Sequence, residues 1–406
     1  MIKRTKRLAI LAAVALTFAA GPAQGQAPLK EKTVGAPTRL DWQFASRGFS
    51  TAAARLPASY DSQQQRYQLY VPPVYKANKA WPLVVFISPG DQPMGWTTWK
   101  KVCQEKKVFF CSPYAAGNSC PAGQRTRIVL DMIDDVRRQY RIDPDQTYLS
   151  GFSGGGRMAC AIGFSLPEWF GGVAPVCGTN PISEPTYLRH RVRDRLSVAF
   201  ITGVKDFNRK ENEEYMQPWF EELEIRSRLW VAPGVAHAIP SGEIMSQVYA
   251  WLEKDLERRR QDARKHSLLA MNADATPTPE QQATRHLEAA ETSLKQADTA
   301  WQGVTLLQGA ATRWSKLEAG QRARSRLKQI LNDEKILESV ARQGAEDEQK
   351  SLTAQGRALE RFGASEQALQ AWESLAKYHP DTPAGKFAAE RVRLLRVKVK
   401  SSGKLK

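Results

Sequence analysis

Thr147-Tyr-Leu-Ser150-Gly151-Phe-Ser153-Gly154-Gly155-Gly156-Arg-Met-Ala-Cys-Ala-Ile162 is the stretch on which the reading of this 406-residue chain turns. A strand-like run leads into Gly-x-Ser-x-Gly, and small and apolar residues lead out of it as a helix. A serine so placed sits on a tight strand-to-helix turn in strained backbone, and a Cβ at the flanking glycines would strike the neighbouring strand or helix. The turn is expected to hold Ser153 Oγ in the open at the carboxyl end of a sheet. The helix that follows would offer N–H groups, Gly154 first, to a developing oxyanion.

A serine hydroxyl is too weakly acidic to attack an ester near neutrality, so it needs a base, and the base needs an orienting carboxylate. Of the five histidines, His190, His266, His286 and His379 fall in charged or helical runs. His237 instead follows the strand pattern Arg228-Leu-Trp-Val-Ala-Pro233-Gly234, in a loop before a helix that starts near Ser241. Upstream, the apolar run Leu196–Gly203 delivers Asp206 at its carboxyl end. Glu211, Glu213 and Glu214 are further carboxylates, but they lie in a polar helical stretch where a solvated face accounts for them. The chain order Ser153, Asp206, His237 is that of an α/β-hydrolase. The loop Ser88-Pro89-Gly90-Asp91, after the strand pattern Trp81–Ile87, supplies Gly90 and Asp91 as candidates for the second half of the oxyanion hole. Ser-Pro-Gly stands there in place of the His-Gly dipeptide that many esterases carry.

Tyr67-Gln-Leu-Tyr-Val-Pro-Pro73, Pro82-Leu-Val-Val-Phe86, Ala115-Ala-Gly117-Asn118, the helix Arg127–Val136, Ile142-Asp-Pro144 and the elbow with its Gly154–Arg157 extension resemble esterases of the polyhydroxybutyrate depolymerase and feruloyl esterase type. The resemblance spans roughly residues 60–258. It implies an α/β fold, a mostly parallel sheet flanked by helices, and hydrolysis of carboxylic esters by Ser153, Asp206 and His237 without metal or cofactor. Substrates of such enzymes range from polyesters to aryl and acetyl esters of plant cell walls. Trp96, Trp99, Trp169 and Trp219 fall on loops or helix ends that could line an aryl or polymer cleft, or else serve as core. Two other readings use the same residues: a catalytically weak or inactive platform whose helical repeats bind a protein partner, and a serine peptidase of the same fold.

The ends and the composition complete the expected layout. Residues 1–25 carry a basic start, an apolar run Leu8–Ala20 and small residues before Gln26, the pattern of a secretory signal peptide. Export, periplasmic or extracellular, follows as an expectation, with no transmembrane segment in the mature chain. The remaining expected parts are a lead-in at 26–58, the hydrolase at 59–262, a linker at 263–280, an all-α helical-hairpin domain at 281–397 and a basic tail at 398–406. The hairpin unit Gly356–Pro380 resembles a tetratricopeptide repeat: Gly356 and Ala368 allow close approach, Leu359, Trp372 and Leu375 fill the seam, and Gly363 opens the turn. Trp301, Trp314 and Trp372 are expected in the core. Five cysteines, an odd number, leave at least one thiol free, and their spacing matches no zinc site. The formal charge of +17 is concentrated partly in the acid-free run from Arg391 to Lys406, but no nucleic-acid-binding module accompanies it.

Overall fold

The computed structural model describes residues 29–49, 54–182, 186–265 and 276–403. The expected signal peptide and residues 266–275 of the expected linker lie outside the described residues. Eight strands form one sheet: β1 (Lys30–Thr33), β2 (Arg66–Tyr70), β3 (Trp81–Ile87), β4 (Phe109–Pro113), β5 (Ile142–Phe152), β6 (Gly172–Val176), β7 (Ser197–Gly203) and β8 (Ser227–Ala232). Their spatial order is β1-β2-β4-β3-β5-β6-β7-β8. β2 runs against its neighbours β1 and β4, and the strands from β4 to β8 are parallel. This is the α/β-hydrolase architecture.

The central strands β3, β6 and β7 read as almost unbroken apolar runs because both faces are covered. Alternation along each strand then assigns the faces. Leu83, Val85, Leu149, Val173 and Val198 enter one core with α1 (Trp42–Ser46), α3 (Ala122–Gln139) and α4 (Gly154–Ser165). Val84, Phe86, Tyr148, Ala174 and Ala199 enter the other, with α2 (Trp96–Lys106) and α7 (Gly242–Glu253). Between them in the chain lie α5 (Tyr187–Arg195) and α6 (Gln217–Glu222), and α8 (Leu256–Lys265) follows α7.

Part of the expected lead-in packs on this body. Lys30–Thr33 is the edge strand β1, in register with Leu69 to Arg66. Gly35, Thr38 and Arg39 donate their backbone N–H groups to Asp135, Asp131 and Asp134 of α3 at 2.9, 2.7 and 2.8 Å. These buried carboxylates fasten the segment that follows β1, a strand too short and too polar to read from the sequence.

Beyond residue 276 the chain is helical, as expected: α9 (Pro279–Ser293), α10 (Ala300–Arg313), α11 (Glu318–Ile330), α12 (Glu334–Phe362), α13 (Ser365–Tyr378) and α14 (Pro383–Gly403). α14 continues six residues into the expected basic tail, to Gly403. Among the described residues no helix is long and apolar enough to cross a membrane. In the hairpin, a Cβ on Gly356 would lie 2.5 Å from the Trp372 indole, and Gly363 turns the chain at φ 89°. Leu359, Ala368, Trp372 and Leu375 are buried there against Ala388, Val392 and Leu395.

The helices pack against the sheet body through a shared core. The core on the α4 side of the sheet continues through Leu188 and Val192 to Leu287, Leu306, Leu307, Ala310 and Trp314. Buried polar contacts stitch the same seam. Arg313, whose side chain is fully buried, donates to Asp41 at 3.0 Å and to Glu168, and its guanidinium lies over the Phe44 and Trp314 rings. Asp347 on α12 accepts two bonds from Arg189 at 2.8 Å each and one from the Trp301 indole at 3.1 Å, and lies 3.0 Å from His190 Nε2. Tyr187 and His286 meet at 3.0 Å.

Candidate active site

β5 ends at Phe152 and α4 begins at Gly154, which leaves Ser153 alone on the turn at φ 54° and ψ −120°. Such backbone costs about 1–3 kcal/mol and persists only where its surroundings enforce it. They do so here through backbone contacts. The Ser153 N–H donates to Val176 O at 2.8 Å. A Cβ on Gly151 would approach Gly155 O to 2.4 Å, one on Gly155 would reach Ile87 O at 1.9 Å, and one on Gly178 would meet Ser153 O at 2.3 Å. The glycines are therefore fixed by close approach.

Two later strand ends bring the partners. The turn after β7 closes through the Asp206 N–H to Gly203 O, and Gly203 lets the histidine loop approach: a Cβ there would lie 2.3 Å from Val235 O. His237 Nδ1 lies 2.8 Å from Asp206 Oδ1, and its Nε2 lies 3.0 Å from Ser153 Oγ. A neutral imidazole satisfies both contacts by donating from Nδ1 to the carboxylate and accepting the serine proton at Nε2. Asp206 also accepts from Thr202 Oγ1 at 2.7 Å and from the Asn208 N–H at 3.1 Å. Burial disfavours its charged form, but bonds from Thr202, His237, Asn208 and Cys177 outweigh it and hold the carboxyl below its ordinary value. Ser153, Asp206 and His237, far apart in the chain, thus form one hydrogen-bonded line.

Two further residues shape this line. Phe207 stacks on the His237 ring at 4.1 Å and 25° while remaining 76% exposed. Cys177 places Sγ within 4.8 Å of Asp206 and His237 ligand atoms. Both imidazole nitrogens are already engaged, so an ion held by this trio would break the line. The one advance signal for Phe207 was its position beside Asp206.

The oxyanion candidates are arranged less simply. Gly154 opens α4, and its Cα faces the Asn118 amide so closely that a Cβ would lie 2.0 Å from Oδ1. Arg125 holds that amide with a bond to Oδ1 at 3.0 Å and reaches Ser88 O at 2.8 Å. The Gly90 N–H is engaged by Ser88 Oγ at 3.0 Å, whereas among the described residues the Asp91 N–H donates to nothing. Asp91 is itself anchored, accepting from the Ala115 and Gly117 N–H groups at 2.8 and 3.1 Å.

Three of the four tryptophans offered as cleft residues are core. Trp99 is fully buried on the α2 side, and Trp169 is buried beneath the Arg137 guanidinium. Trp219 stacks on Tyr215, which stacks on Phe362 of α12, so it belongs to the seam. Trp96 keeps partial exposure against Tyr70 and Phe110. All five cysteines are free thiols, four of them buried.

No family model matches the chain. The poly(3-hydroxybutyrate) depolymerase of Ralstonia pickettii is 30% identical over 99 residues, 20% of each chain. A protein of Nocardia uniformis subsp. tsuyamanensis named as an esterase, NocK, is 43% identical over 58 residues, 14% of this chain and 17% of that one. The chain thus spans about a fifth of the length of these curated relatives. Among solved structures, the S-formylglutathione hydrolase FrmB of Staphylococcus aureus matches 48% of this chain and 94% of its own, at 13% identity and a TM-score of 0.38.

Proposed function

We propose that this chain is an exported serine carboxylester hydrolase that works through an acyl-enzyme. The observation that carries the reading is the unbroken line from Ser153 Oγ through both nitrogens of His237 to Asp206, with Ser153 in strained backbone at its head. His237 takes the hydroxyl proton as Ser153 Oγ bonds to the ester carbonyl carbon. Asp206 keeps the imidazole in the accepting tautomer and stabilises the imidazolium. The tetrahedral oxyanion is met by the N–H groups of Gly154 and Asp91, since the Gly90 N–H is occupied by Ser88. His237 then protonates the departing alcohol, and water repeats the sequence to release the acid. An inactive platform would have no need to hold Asp206 ionised and the serine turn strained.

The substrate proposed is an ester with an apolar group beside the histidine, because Phe207 presents an exposed ring there. The test is a panel of acetyl, feruloyl and short hydroxyalkanoate esters, with fluorophosphonate labelling of wild type and Ser153→Ala. Labelling and turnover that both vanish in the variant support the reading; no labelling, or labelling indifferent to Ser153, defeats it. Faster cleavage of peptide amides than of any ester would transfer the same machinery to a peptidase.

A further inference from the structure

Cys177 stands where the loops carrying all three proposed triad residues meet. The residue before it, Val176, accepts the Ser153 N–H at 2.8 Å. Its own N–H donates to Ile201 O of β7 at 2.8 Å, and its carbonyl accepts from Asn208 Nδ2 at 2.7 Å. The N–H of that same Asn208 binds Asp206 Oδ1. The thiol donates to the carbonyl of Ala238, next to His237, with Sγ at 3.5 Å, and lies within 4.8 Å of the Asp206 and His237 ligand atoms. Its side chain is fully buried.

A second observation makes the side chain itself significant. Cys177 has φ 57°, the left-handed region that glycine occupies without strain and other residues avoid. The next residue, Gly178, must be glycine because Ser153 O leaves no room for a Cβ. A pair of glycines would make this turn most easily, yet a cysteine occupies its strained half. A strained side chain kept at a functional turn points to a contribution from its own atoms.

We propose that Cys177 is a positioning residue whose thiol spans the space between the Asp206 carboxylate and the Ala238 carbonyl, fixing the acid and base loops at their working separation. This rests on the hydrolase reading above. Burial pushes the thiol up to about 12, so it stays protonated and able to donate. Its one S–H is shared between the two acceptors, and being neutral it favours the Asp206 carboxylate without adding a charge that would compete for His237.

The test compares Cys177→Gly, Cys177→Ala and Cys177→Ser on whichever ester wild type hydrolyses. Gly removes both thiol and strain, Ala removes the thiol alone, and Ser keeps a donor. We expect kcat to fall about tenfold in the Gly and Ala variants with KM within about twofold, and Ser to recover much of the loss. Fluorophosphonate labelling rates per folded molecule, followed beside thermal melts, should fall in parallel. Labelling at the wild-type rate in Gly and Ala variants, or losses that track melting temperature and are not rescued by Ser, would overturn the role and leave the hydrolase standing. Wild-type protein that neither turns over nor labels at Ser153 would overturn both.

Discussion

The partly exposed serine turn and the buried seam between sheet and helices are both polar, yet they are held by opposite means. At the turn the backbone sets the geometry: Gly151, Gly155 and Gly178 let chain segments touch, and Val176 anchors the serine N–H. At the seam side chains set it: Arg313 between Asp41 and Glu168, and Asp347 among Arg189, His190 and Trp301. The difference teaches where each can fail. A backbone-built site loses function when one reactive atom is removed and keeps its fold, whereas a seam built from paired charges loses stability when one partner goes.

The sharpest break of this comparison is Ser153→Ala, which should lower ester turnover by about 10⁴ or more while the melting temperature stays near wild type. A large loss of stability would mean the turn also carries the fold. At the seam, Arg313→Met leaves Glu168 buried without its cation and should cost about 3–5 kcal/mol, read by urea denaturation. The Arg313 guanidinium and its partners hold Glu168 below its ordinary value against burial, so a cost under about 1 kcal/mol would show that the pair contributes little.

Acid should act on the seam next. Burial drives the His286 imidazole down to about 3, so it stays neutral in the folded chain while its unfolded counterpart gains a proton below pH 6.5. The unfolded state then binds more protons, and stability falls as pH drops from 6.5 toward 3, by about 2 kcal/mol at pH 5. His286→Gln should flatten that slope; an unchanged slope would place the acid sensitivity elsewhere. The smallest effect is expected back at the turn. Phe207→Ala removes an exposed ring from His237 and should lower kcat/KM about threefold to tenfold, in the range of one aromatic contact.

Legibility in the sequence followed the same division. Ser153, Asp206 and His237, which the fold brings together, stood out because each ends a strand pattern or sits in a loop after one, and chain order suggested the roles proposed for them. Trp99, Trp169 and Trp219 were ambiguous because an aromatic near a loop gives no sign of what lies above it. β1 was hidden because a four-residue polar edge strand carries no apolar alternation; it pairs with β2, and the residues just after it are held by carboxylates about a hundred residues away. The shared core was hidden likewise, since Arg313 and Asp347 read as ordinary members of charged helices.

By itself, then, the sequence determined the elements and the candidates for the proposed triad: apolar period, glycine placement and strand-end residues are local properties, written within a few positions of each other. Only the tertiary structure decided that the Gly90 N–H is occupied, that Cys177 and Phe207 border Asp206 and His237, and that the helices share a core with the sheet. Those depend on contacts between segments distant in the chain, where burial and the pairing of charges are settled by neighbours that no local window contains.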